Sequence, residues 1–114
     1  MKMANAESAF VPMEKVVDYL LNPAHPDGAG KAQFFGLMGF RREEWQTLAA
    51  ALRGLAAQGE VTQSLESRHG RKYVLDGRIE TPTGRTPLVR TVWIVDAGTA
   101  IPRLVSAYPQ EEKL

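Results

Sequence analysis

Past residue 59 the chain changes period, and the links between its apolar runs leave little choice of fold. Residues 60–67, 71–80, 86–95 and 102–108 read as strands, joined through Ser67-Arg68-His69-Gly70, Thr81-Pro82-Thr83-Gly84 and Asp96-Ala97-Gly98-Thr99. Two neighbouring parallel strands need a crossover of about a dozen residues or more, and none of these links is long enough for one. The strands therefore have to form an antiparallel meander, ended by Pro109.

Before residue 60 the period is helical. Met13, Val16, Val17, Leu20 and Leu21 recur at helical spacing over 13–21, and Asn22-Pro23 stops that helix because the residue before proline is pushed out of the helical region. A second helix begins near Gly28 to Gly30, runs through Phe34, Phe35 and Met38, and stops around Gly39. A third opens on Arg42-Glu43-Glu44, carries the stripe Trp45, Leu48, Ala49, Leu52, Leu55 and Ala56, and closes at Gly59. The expected fold class is α+β, with about three N-terminal helices packed on a C-terminal four-stranded antiparallel meander. A chain of 114 residues with 44% hydrophobic content is one ordinary domain, 1–114, able to bury about two-thirds of its unfolded surface. The expected ordered core is residues 12–109, with residues 1–10 and 110–114 flexible.

The strands carry polar residues where a plain core would not. The third alternates Leu88, Arg90, Val92, Ile94 on one face with Val89, Thr91, Trp93, Val95 on the other, so both faces are mostly apolar and the strand reads as central. An arginine there has to sit at a rim, pair with an acid such as Asp76 or Glu80, or line a cleft, because a buried unpaired guanidinium is very costly. In the last strand Arg103, Val105 and Ala107 are expected to point one way and Leu104, Ser106 and Tyr108 the other. Tyr108 either closes the core at the sheet edge or brings a phenol to the face of Arg90 or Thr91.

Composition removes several function classes. The absence of cysteine excludes disulfides, thiolate zinc sites and thiol nucleophiles. The start of the chain lacks the apolar stretch of a signal peptide and no run is long enough to span a membrane, so the expected setting is cytoplasmic, or delivery into a target-cell cytoplasm as part of a larger protein. Residues 1–67 hold six Lys/Arg against eight Asp/Glu, and residues 68–114 hold eight against five. The second part is thus basic by three charges. It includes Arg68, Arg71, Lys72, Arg78, Arg85 and Arg90, which form either a phosphate-attracting patch or a solvated sheet edge.

The run Asn22-Pro23-Ala24-His25-Pro26-Asp27-Gly28-Ala29-Gly30-Lys31 puts a titratable ring, a glycine turn and a cation immediately before Phe34-Phe35. It is not a nucleotide-binding P-loop: His25 stands where the first glycine belongs, Ala32 replaces the Ser/Thr, and no strand precedes it. With two histidines far apart, His25 and His69, no metal spacing is present either. Two readings remain open. The run is a turn between helices, or it is an anion pocket in which helix amides and Lys31 hold a phosphate while His25, whose free reference pKa is about 6.5, moves a proton.

The order Tyr19-Leu20-Leu21-Asn22-Pro23, His25-Pro26, Gly28, Lys31, Phe34-Phe35, then Trp45, Arg90-Thr91-Val92-Trp93 and Pro102 through Pro109, resembles a family of small bacterial domains of unknown function, over about residues 12–109. That resemblance implies a toxin-type domain, found alone beside a small partner protein or at the C-terminal end of large secreted proteins. The layout is similar to the barnase, EndoU, colicin and RelE group of ribonucleases, which cut RNA without metal. Carried over, the resemblance implies a catalytic set of His25, Lys31, Arg90, Thr91 and Tyr108, no cofactor or metal, an RNA substrate, and a small antitoxin or immunity protein as partner. His25 is then acid or base, Lys31 and Arg90 stabilise charge, and Thr91 and Tyr108 donate hydrogen bonds or relay protons. The rival reading is a non-catalytic interaction module in which Arg90 is tied up by an acid and His25 only turns the chain.

Overall fold

The computed structural model describes residues 1–111; of the tail expected to be flexible, residues 112–114 lie outside the described residues. Helix α1 (Met13–Lys15) continues without a break into a wider π turn (Val16–Leu20). Helix α2 (Ala29–Leu37) follows the histidine loop, and a single 3₁₀ turn (Arg42–Glu44) leads into the long α3 (Trp45–Gln58). The strands β1 (Glu60–Ser67), β2 (Gly70–Arg78), β3 (Leu88–Asp96) and β4 (Arg103–Pro109) then pair antiparallel in the order β1-β2-β3-β4. This is the α+β arrangement expected from the short links.

The core lies between the helices and one face of the sheet. Val16, Leu20, Phe35, Leu48, Leu52 and Ala56 from the helices meet Leu75, Val89, Trp93 and Leu104 from the strands. The α3 stripe is buried as its spacing requires, with Leu48, Ala49, Leu52 and Ala56 fully closed off. The first ten residues do not hang free as expected. Met3, Ala6 and Ala9 are buried in the same core, and Phe10 forms a bridge to Arg103. Small apolar side chains at this spacing were too sparse to register as an element, yet they bury well against α3.

One irregularity decides which side chains β4 presents. Val92 pairs with Ser106 and Trp93 with Leu104, so Val105 is an extra, bulged residue. The strict alternation expected for β4 is therefore broken: Leu104 and Ala107 both enter the core, and Ser106 and Tyr108 face away from it. Tyr108 does not close the core; it lies opposite Arg90. Among the described residues no helix is long and apolar enough to cross a membrane.

Candidate functional site

The histidine run is a tightly bonded loop. Asn22 caps it locally, its side-chain oxygen accepting from the Ala24 amide at 3.0 Å and its side-chain nitrogen donating to the Asp18 carbonyl at 3.2 Å. The His25 carbonyl accepts from the amides of Gly28 and Ala29, which starts α2. The Asp27 amide donates to His25 Nδ1 at 3.0 Å, and that bond assigns the ring proton to Nε2, the edge left for another molecule. Gly28 is buried against the backbone of Tyr19, where a β-carbon would collide with the Tyr19 carbonyl oxygen.

Tyr19 is the hub around which the loop, α2 and β4 meet. Its ring takes the His25 ring edge-on, with centroids 4.9 Å apart. Lys15 Nζ lies 5.1 Å and Lys31 Nζ 5.2 Å from the Tyr19 ring centre, and Lys31 Nζ is also 5.8 Å from that of Tyr108. Lys31 is held by the Asp27 carbonyl at 3.1 Å. The Tyr19 hydroxyl is 3.1 Å from Ser106 Oγ on β4. Burial pushes the Tyr19 phenol up, but the hydrogen bond with Ser106 and the ammonium groups of Lys31 and Lys15 outweigh it, leaving the pKa below that of an ordinary tyrosine.

Three of the five residues singled out in the sequence, His25, Lys31 and Tyr108, come together in this cluster, each on a different element. Arg90 stands across the ladder from Tyr108 but grips Asp76, with Nε–Oδ1 at 2.8 Å and Nη2–Oδ2 at 2.9 Å. This is the acid pairing that one reading of a strand arginine required, and it holds the guanidinium's pKa above its usual value. Thr91 falls out of the set. It is fully buried on the opposite face, donating to the Leu75 carbonyl at 3.1 Å and accepting from Trp93 Nε1 at 2.8 Å. Its hydroxyl is fully engaged inside the core.

Tyr19 and Ser106 enter the sequence reading only as part of the resembling segments, with no role in the site. Tyr19 sits within a Val/Leu helical stripe and reads as packing, and the Val105 bulge that turns Ser106 toward it leaves no mark in the residue types. Part of the basic sheet is occupied as well, with Arg71 on Glu66 at 3.1 Å and on Ser64 at 2.7 Å and, on β4, Arg103 on Asp96 at 2.7 Å. Among the described residues no three His, Cys, Asp or Glu side chains gather as a metal site would require.

The fold and site define a class: a small α+β domain whose helices pack on an antiparallel meander, with an imidazole, two phenols and two ammonium groups gathered beside the edge strand. Residues 2–111 match the family described as "Domain of unknown function (DUF6883)", and the chain belongs to that family. No curated protein matches it. Among solved structures, one similar chain belongs to a contact-dependent growth inhibition toxin–immunity protein complex from Klebsiella pneumoniae 342. The TM-score is 0.75 at 10% sequence identity, over 95% of this chain and 98% of that one. At that identity the likeness is one of fold.

Proposed function

We propose that this domain is a toxin-type ribonuclease that cleaves RNA by proton transfer, with His25, Lys31 and Tyr108 at its centre. The observation that carries the reading is the meeting of those three side chains from a loop, a helix and a strand around one partly buried phenol. The fold it shares with a chain of a toxin–immunity complex supports the toxin class and a small immunity or antitoxin protein as partner. In the reaction the ribose 2′-oxygen bonds to phosphorus as the bond to the 5′-oxygen breaks. A base takes the 2′-hydroxyl proton and an acid protonates the leaving oxygen, giving a 2′,3′-cyclic phosphate and a 5′-hydroxyl.

Lys31 sets its charge against the phosphoryl oxygens, and His25 donates to them through Nε2–H. The Tyr108 phenol protonates the leaving oxygen, its resulting negative charge met by Lys31 and, across the strand pair, by Arg90. Arg90 reaches the Tyr108 phenol while Asp76 holds its guanidinium in place.

Inducible expression in bacteria beside His25→Ala and Lys31→Ala variants tests this. Growth arrest and RNA fragments ending in cyclic phosphate are expected for the native chain alone, with purified protein cutting equally well in the presence of a chelator. Equal growth and intact RNA for all three would sink it. The bidentate Arg90–Asp76 pair favours a second reading, a non-catalytic interaction module. On that reading His25→Ala changes nothing, and loss of partner binding follows instead from substitutions on the sheet face.

A further inference from the structure

The proposed reaction needs a base, and the histidine is poorly arranged to be one. A base at Nε2 requires the ring proton on Nδ1, and Nδ1 already accepts the Asp27 amide proton. From the geometry of the cluster we infer that Tyr19 Oη is the general base that removes the 2′-hydroxyl proton, an assignment that rests on the ribonuclease reading.

Among the described residues, the side chains in contact with the Tyr19 ring or hydroxyl favour its ionised form or leave it unopposed. From α1 Lys15 stands 5.1 Å from the ring centre, and from α2 Lys31 stands 5.2 Å from it. From β4 the Ser106 hydroxyl at 3.1 Å can turn its proton toward a phenolate. From the intervening loop comes His25, whose Nδ1 is taken by Asp27. None of these contacts is a carboxylate, and Asp18, beside Tyr19 in the chain, has its side chain 4.0 Å from Arg42. Burial opposes ionisation, but the net balance lowers the phenol's pKa.

The arrangement also explains two features that a packing tyrosine would not need. Gly28 lets the start of α2 close directly onto the Tyr19 backbone, which brings Lys31 over the ring. The Val105 bulge turns Ser106 out of the core to reach the hydroxyl. Lys31 then lies between the two phenols, 5.2 Å from the ring that takes a proton and 5.8 Å from the ring that gives one. The proton balance closes without a further reagent: Tyr19 gains the 2′-hydroxyl proton, Tyr108 loses one to the 5′-oxygen, and solvent resets the pair.

The test measures cleavage of total cellular RNA by the purified chain against pH, alongside ultraviolet titration of its tyrosines. Tyr19→Phe is expected to lower cleavage by about 100-fold or more and to delete the lowest-pH tyrosinate step. Ser106→Ala keeps the ring and removes its hydrogen-bond partner, so it guards against a Tyr19→Phe chain that fails to fold. Its rising pH limb and its tyrosinate step should both move to higher pH. Lys31→Met should move the tyrosinate step the same way. If Tyr19→Phe cuts within a few-fold of the native rate on an unchanged pH profile, while His25→Ala and Lys31→Ala are dead, Tyr19 is not the base and the ribonuclease reading stands. If the native chain cuts no RNA, that reading falls and takes the base with it.

Discussion

A threonine and an arginine adjacent in sequence, Thr91 and Arg90, end on opposite faces of β3 with opposite fates. The sequence made Arg90's need for an acid legible, because a guanidinium in a mostly apolar strand has few tolerable surroundings, and Asp76 answers it. It gave no comparable warning for Thr91, since a lone threonine in a strand is ordinary. Only the register with Leu75 and the position of Trp93 reveal that its hydroxyl satisfies two buried polar groups. Thr91→Val keeps the shape and removes that hydroxyl, leaving the Leu75 carbonyl and the Trp93 indole N–H without it. Loss of a buried partner costs about 1–3 kcal/mol, which denaturant unfolding would register as a lower midpoint with an unchanged slope. Thr91→Ser should recover most of it. On the proposed ribonuclease reading, the same pair of variants separates the core role from a catalytic one, because folded Thr91→Val protein should then cut RNA at the native rate.

Helix and strand positions were readable because each carries its own period; the joints between them were not. The α3 stripe, the proline stop after the π turn and the short strand links all survive into the structure within a few residues. What escaped is where one residue is added without changing the pattern: the π turn at Val16–Leu20, closed by the Leu21 amide on the Val16 carbonyl at 2.8 Å, and the bulge at Val105. Those two insertions set the directions of Tyr19 and Ser106, so the part of the site they build was invisible in the sequence. Helix α2 offers a direct check on how its N-terminus is placed. Gly30 lies inside the helix, and a β-carbon added there would meet no atom within 4 Å, so Gly30→Ala should stabilise the chain by about 0.5–1 kcal/mol. Gly28→Ala drives a methyl into the Tyr19 carbonyl and should destabilise by about 1–3 kcal/mol. It should also separate Lys31 from Tyr19. Thermal melts of the two variants are therefore expected to shift in opposite directions.

For the molecule as a whole, the formal charge of +1 hides an internal division that folding partly ties up in ion pairs. The basic second half commits Arg71 to Glu66, Arg90 to Asp76 and Arg103 to Asp96, so the positive field offered to a polyanion is narrower than the residue count implies. These pairs make the fold sensitive to acid, and the sign follows from Asp96. Hydrogen bonding to Arg103 lowers its pKa below the ordinary carboxylate value, with burial opposing. A carboxyl depressed in the folded state contributes fully above its unfolded pKa of about 3.9, and the contribution is lost as pH falls through the lower folded value. Glu60, held down by the Met1 ammonium and Lys2, behaves in the same sense. The melting temperature should thus be flat near neutrality and fall below about pH 4. Asp96→Asn separates this pair from the rest: at pH 7 the variant should melt lower than the native chain, and on acidification the two curves should converge because native Asp96 is then protonated too. Added salt should narrow the gap at pH 7, since Arg103 and Asp96 are both about half exposed and screening reaches them. A gap that persists unchanged at low pH would mean that Asp96 stabilises the chain through its shape in the β3–β4 turn and not through its charge.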